Sequence, residues 1–416
     1  MLDDSVGKCQ EVDGCPVDVK SLVIKGRHGY PFGKGNGYGY EGVILAAMRL
    51  IGTRRPETTS HADPVASEVV EGSGGDHAMR MRDGSLLSFR PFPLLGRPHV
   101  QTVVAAKLNL PLAPPSRRHV VDLGDGDRLV LEVSTPPAWR PDQLTVLLIH
   151  GLCGCGRSPY LLRLARKLYR RGVRAARMNL RGCGPGRDLA RKPYHSGRSD
   201  DALAAVEHLR RHSPQSLVAL VGFSLGGNIA LKLAGELGMA ALGRVEQVIA
   251  VCPPVDLAAC SRRLSQPSNR FYERLFVKLL HADALRRHTR FPDLRLPAFP
   301  QRMSLFDFDE IYTAPQCGFT SARDYYERSS SAPLLPRIAV PCRILLAADD
   351  PLIDAAVLDT LPLPPNVQVA RTALGGHLGF LGVPGRPGGF HWLDWRLLGW
   401  LSGMHGLSLT DRATKT

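Results

Sequence analysis

The chain has 416 residues, 44% of them hydrophobic and 22% charged, an ordinary balance for a folded protein with one large core or two modest ones. Its formal charge of +15 is high, but the positive residues are mostly arginines scattered along the chain, such as Arg163, Arg166, Lys167, Arg170 and Arg171. They read as solvated helix faces and not as the aromatic-interleaved basic block of a nucleic-acid binder, which leaves weak peripheral contact with an anionic membrane surface as the other use of the charge. The nine cysteines form no paired CxxC blocks at zinc spacing, and several sit in apolar strand-like runs. That pattern points to a reducing compartment with neither a disulfide framework nor a metal. The start of the chain lacks a basic, then apolar, then small-residue leader. Its most apolar early stretch, 43–51, falls well short of the ~20 residues that a membrane helix needs and is interrupted by Arg49. The expectation is a soluble, cytoplasmic protein.

Residues 1–83 differ from the rest. The stretch 26–42 is rich in Gly and Tyr without period, and 54–76 is polar, so neither has the apolar periodicity to offset its ordering entropy. This segment is expected to be a disordered extension; a natural start near Met79 or Met81 would make it an artefact of the gene boundary. From residue 84 strands alternate with helices. Apolar runs of strand length lie at 129–133, 144–149, 173–178, 217–222, 245–251, 344–347 and 367–369. Helical spacing appears at 158–170, where Leu161, Leu162, Leu164, Ala165 and Leu168 share a side, and again at 200–209, 225–237 and 392–401. Such alternation predicts an α/β fold with a mostly parallel sheet covered by helices on both faces. Its two parts span 84–254 and 341–405, with a tail at 406–416. Between them, 255–340 breaks the pattern with many prolines and aromatics, including Phe271, Phe276, Tyr312 and Tyr325. The expectation is a helical cap over an apolar pocket.

The chemistry centres on Gly222-Phe223-Ser224-Leu225-Gly226, between a strand and a helix. A G-x-S-x-G turn in this context is a nucleophile elbow: the strained turn lifts the serine hydroxyl above the sheet, and the glycines let strand and helix approach. A serine nucleophile needs a base, and the base needs an orienting carboxylate, in the chain order Ser, acid, His for such folds. Asp350 is the preferred acid, since it follows a strand and directly precedes Pro351-Leu352-Ile353; Asp349 and then Asp354 are the alternatives. His377, in the Gly-rich loop Leu374-Gly375-Gly376-His377-Leu378-Gly379-Phe380, is the base. Two backbone N–H groups should form an oxyanion hole, one from Leu225 and one from Leu152 in the loop His150-Gly151-Leu152-Cys153-Gly154. His150 is read as an orienter of that loop, and Cys153 and Cys155 as a poor zinc pair. No cofactor is needed.

The strings Gly96-Arg97-Pro98-His99-Val100-Gln101-Thr102, His150-Gly151-Leu152-Cys153-Gly154 with Arg157-Ser158-Pro159-Tyr160, and Met178-Asn179-Leu180-Arg181-Gly182-Cys183 occur in order. Tyr194-His195-Ser196-Gly197, the elbow running on to Asn228, Asp349-Asp350-Pro351 and the His377 loop follow them. Together they resemble the YheT-like branch of the α/β-hydrolases, the AB hydrolase-4 family, over roughly 89–402. The resemblance implies an α/β-hydrolase fold, a triad of Ser224, Asp350 and His377, and a carboxylesterase or acylglycerol-lipase activity on a small-molecule or lipid ester. Amide or thioester hydrolysis, or acyl transfer, on the same triad is the alternative within the enzyme class, and a non-catalytic binding protein of the same fold is the alternative outside it. Arg198 stands where this family often has an acidic residue. His195 reads as a loop-fixing histidine or as part of the acyl pocket, and His99 as an anchor of the entry segment against the core.

Overall fold

The computed structural model describes residues 87–108, 113–384 and 389–402. The expected extension, 1–83, and the expected tail, 406–416, lie outside them. The seven apolar runs of strand length become β2 to β8 of one sheet, joined by a further strand, β1: β1 Arg117–Asp122, β2 Arg128–Ser134, β3 Thr145–Ile149, β4 Arg174–Asn179, β5 Val218–Phe223, β6 Val245–Val251, β7 Cys342–Ala347 and β8 Val367–Thr372. The order across the sheet is β1-β2-β4-β3-β5-β6-β7-β8. β2 pairs antiparallel with both neighbours, and all other pairs are parallel. In β3 and β5 every residue is buried, as expected for strands covered on both faces. Each Leu or Val so buried contributes about 1.5–3 kcal/mol.

The described helices are α1 Pro98–Lys107, α2 Pro159–Arg170, α3 Ser199–His212, α4 Leu225–Leu237, α5 Leu257–Leu264, α6 Arg270–Arg290, α7 Ala322–Ser329 and α8 Trp392–Ser402, with shorter turns between them. No helix among the described residues is long and apolar enough to cross a membrane. Two elements escape the sequence pattern. β1 carries Arg117, Arg118 and His119 and is mostly exposed, because it is the edge strand and only Val121 is fully buried. α1 opens on Pro98, whose missing N–H costs nothing at a first helical position. It packs Val100 and Val104 against Leu95 and Leu381.

The charge pattern needs one correction. Arg163, expected on a solvated face, is buried and pairs with Asp394 of α8 at 3.1 Å, and Lys167 joins the same carboxylate at 3.0 Å. Arg181 is also buried, among Asp125, Asp127 and Asp201. Part of the positive charge is therefore spent inside the fold, tying elements together.

The segment 255–340 leaves the sheet after β6 and returns to β7. It holds α5, α6, a run made of Leu305–Phe308, the π-turn Asp309–Thr313 and Ala314–Gln316, and then α7. Small clusters of its own, such as Ala284, Phe308 and Tyr312, give it internal packing. Other side chains, among them Tyr272, Val277 and Leu305, join the main core.

Candidate active site

The turn from β5 into α4 is tight because two glycines make it so. A methyl group on Gly222 would lie 2.1 Å from the Gly226 carbonyl oxygen, and one on Gly226 would lie 2.4 Å from that of Ile149. Between them Ser224 takes φ 51° and ψ −121°, a left-handed backbone that a serine adopts only where its surroundings impose it. The serine N–H donates to Val251 O at 2.8 Å, which pins the turn to β6.

Ser224 Oγ lies 2.9 Å from His377 Nε2, and His377 Nδ1 lies 2.9 Å from Asp350 Oδ2. These three groups come from the ends of β5, β7 and β8. Asp350 is fully buried; its other oxygen accepts the Leu352 and Ile353 N–H groups at 2.8 and 3.0 Å. The adjacent Asp349 points elsewhere and accepts the Gly376 N–H at 2.9 Å. Burial pushes its carboxyl above the usual range. Asp354 accepts the Ala356 N–H at 3.0 Å and caps the turn Ala355–Thr360.

The loop after β3 reaches the same place. A methyl group on Gly151 would lie 3.2 Å from Ser224 Cβ. Tyrosine hydroxyls take the Gly151 N–H (Tyr160, 3.0 Å) and the Cys153 N–H (Tyr194, 2.9 Å). The Leu152 N–H between them meets no acceptor among the described residues, and the same holds for the Leu225 N–H at the start of α4. His150 is wholly buried, with Nδ1–H donated to the Gly151 carbonyl at 2.8 Å and Nε2 accepting from the Leu180 N–H at 3.1 Å. Burial lowers it to about 4, so it is a neutral strut between the loop and the end of β4. Cys155 is buried, and burial raises the Cys153 thiol to about 12.

Several contributors carry no chemical signature in the sequence. Thr102 Oγ1 accepts the His377 N–H at 2.9 Å and donates to Pro98 O at 2.8 Å. The fully buried Gln101 holds Leu381 from both sides, accepting its N–H at 2.8 Å and donating to its carbonyl at 3.2 Å. α1 therefore clamps the His377 loop. Cys252, at φ 47° after β6, sets its thiol beside Asp350; burial and that carboxylate keep it protonated. Asn228 in α4 donates to Ser196 O and Ser329 O at 3.0 and 2.8 Å and accepts the Ser331 N–H at 3.0 Å. The motif strings around 96–102 and 222–228 hold Gln101, Thr102 and Asn228, but only long-range contact reveals what they do.

A pocket opens at Ser224 and His377. Leu257, Leu264, Phe276, Leu280, Leu305, Leu352 and Ile353 form its apolar side, and most of these belong to 255–340. Ser261, Asp309, Thr313, Tyr325 and Tyr326 add polar atoms. Burial raises the Asp309 carboxyl to about 6, while hydrogen bonds from Thr313 and Tyr326 oppose the rise. His195 stands in the same wall, edge-on to Phe319 and Tyr325, with Nδ1 accepting the Gly197 N–H at 3.1 Å. Burial and then Arg198 hold it well below its usual value, and therefore neutral. His99 stacks on Tyr272 of α6, a member of the main core, with Nδ1 at 3.1 Å from the phenol oxygen. It thus ties the entry segment to the insertion.

Comparison with known proteins agrees with this fold. The pattern of the alpha/beta hydrolase fold family matches residues 145–382. YheT of Escherichia coli (strain K12), named as a candidate esterase, is 34% identical over 289 residues, covering 68% of this chain and 83% of that protein. Monoacylglycerol lipase ABHD2 of Mus musculus is 27% identical over 305 residues, 68% of this chain and 71% of its own. The embryogenesis-associated protein EMB8 of Picea glauca is 25% identical over 323 residues, covering 74% and 70% respectively. By its sheet, its family pattern and its kinship with YheT, this chain belongs to the α/β-hydrolase family.

Proposed function

We propose that the protein hydrolyses carboxylic esters through an acyl-enzyme on Ser224. One observation carries this reading: the unbroken line of hydrogen bonds from Ser224 Oγ through His377 to the buried Asp350, opening into a largely apolar pocket. Ser224 Oγ attacks the ester carbonyl while His377 Nε2 takes its proton. The tetrahedral oxygen gains negative charge beside the Leu152 and Leu225 N–H groups, donors that meet no acceptor among the described residues. His377 returns the proton to the departing alkoxide, and the alcohol leaves. Water then attacks the acyl carbonyl, giving a proton to His377 and releasing the acid as Ser224 is restored. Asp350 holds the imidazolium in place.

The apolar wall supplied by 255–340 suits the acyl chain, and the names of YheT and of the mouse lipase point to esters, including acylglycerols, as the substrate class. A panel of p-nitrophenyl esters of increasing acyl length, run beside a monoacylglycerol, tests this. Turnover that rises with chain length fits a groove; turnover confined to acetate fits a short pocket; no turnover of any ester sinks the proposal. Ser224→Ala should reduce kcat by up to about 10⁶ and abolish labelling by a fluorophosphonate.

A further inference from the structure

Three histidines that this chemistry leaves unused meet outside the pocket. His119 lies on the edge strand β1, on the same face as the buried Val121, and His208 and His212 lie one turn apart on α3. One ring nitrogen from each lies within 4.8 Å of the other two. His119 Nδ1 and His208 Nε2 are 3.2 Å apart. In a tetrahedral site with metal–nitrogen bonds of about 2.0–2.1 Å, ligand nitrogens stand about 3.3–3.4 Å from one another, so this pair already has the required spacing. The His208 and His212 rings are close, with centroids 4.4 Å apart, and His119 meets them edge-on at 5.4 and 5.5 Å.

We propose that His119, His208 and His212 form a binding site for a divalent transition metal of the zinc, nickel and copper class, which clips the edge strand to α3. Orientation supports it. His212 Nδ1–H donates to the His208 carbonyl at 2.8 Å, leaving Nε2 as its basic nitrogen, the arrangement in which protein histidines hold metals. His119 and His208 share one hydrogen, which moves to the outer nitrogen of the donating ring when both bind the metal, so no net proton is released.

The donor set also selects the ion. Three imidazoles with no carboxylate suit zinc, nickel or copper and not magnesium or calcium. Arg174 and Arg117 act on His119, and Arg211 and Arg174 on His208. These cations oppose the bound charge and hold the affinity below that of a thiolate-built site. His212 is exposed, which gives the ion a route from solvent and leaves a coordination position for water.

Calorimetry and thermal melting of the full chain, stripped with EDTA and titrated with ZnCl2 or NiCl2, test the site. The expected result is one saturable equivalent lost in both His119→Ala and His212→Ala, with Tm raised by several degrees at about a hundred times Kd in the unsubstituted chain alone. CoCl2 should give the visible absorption bands of a low-coordinate nitrogen site, absent in the double variant that carries both His119→Ala and His212→Ala. Retained ester turnover in the double variant shows that it is folded. No saturable binding, or an unchanged isotherm in the double variant (metal held by the cysteines), overturns the proposal.

Discussion

Gly226→Ala tests whether the chemistry depends on the closeness of α4 to the end of β3. The added methyl would stand 2.4 Å from the Ile149 carbonyl oxygen and 2.6 Å from that of His150, against about 3.4 Å for ordinary contact. Both obstacles are backbone, so no side chain can swing away. The start of α4 and the loop carrying Leu152 must separate by about 1 Å, and a misplacement of that size costs about 10²-fold in rate. Overpacking of this kind also destabilises by about 1–3 kcal/mol. Steady-state turnover of a p-nitrophenyl ester should therefore show kcat reduced about 10²-fold with little change in KM, alongside a lower Tm. Gly399→Ala, on α8 with nothing within 4 Å of the added carbon, should leave both quantities unchanged. If Gly226→Ala keeps kcat within about threefold of the parent, the separation is absorbed elsewhere, and the argument that this approach positions Ser224 and the oxyanion donors fails.

Asp350→Asn should lower kcat by about 10⁴, as when the carboxylate of a triad is made an amide. Asp349→Asn keeps an oxygen for the Gly376 N–H and should cost about tenfold or less; the reverse order of losses would make Asp349 the acid. Thr102→Val strands the His377 N–H, a loss of about 1–3 kcal/mol, and should reduce kcat more than it raises KM, with Thr102→Ser restoring it. Asp309 titrates at about 6 in the folded protein because it is buried, against about 3.9 unfolded. The folded state therefore binds the extra proton between these values, and stability falls as pH rises through that window, by about 3 kcal/mol in all. Urea unfolding of the parent and of Asp309→Asn at pH 4 and pH 7 should show that difference as a change in their relative stability; a gap independent of pH would refute the assignment.

What was legible in the chain was local. The helix Leu225–Leu237 and the strand Val245–Val251 have the bounds that apolar periodicity predicts, since each is buried along nearly its whole length and its ends coincide with breaks in hydrophobicity. Ser224 and His377 stand in glycine-rich turns whose spacing announces a special backbone. The choice between Asp349 and Asp350 cannot be read this way, because both leave the same strand and only the direction of the turn separates them. β1 hides because an edge strand needs few apolar residues, and Arg163 misleads because a helix face rich in arginine looks solvated until Asp394 arrives from the far end of the chain. Thr102, Gln101 and Cys252 stay silent for a related reason. Their partners lie far along the chain, and even the motif string that holds Gln101 and Thr102 does not say what they touch.

The insertion between β6 and β7 has an evolutionary consequence. Those two strands are direct neighbours in parallel register, so the sheet closes over the gap whatever the excursion contains. Ser224, Asp350 and His377 all lie outside it, while much of the pocket wall lies within it. On the proposed function, catalytic machinery and substrate selection are thereby held in separate stretches of the gene. Mutation, lengthening or exchange of the excursion can change which molecules are admitted while the hydrogen-bonded relay beneath keeps its geometry, so a lineage built on this sheet can diversify its diet without rebuilding its chemistry.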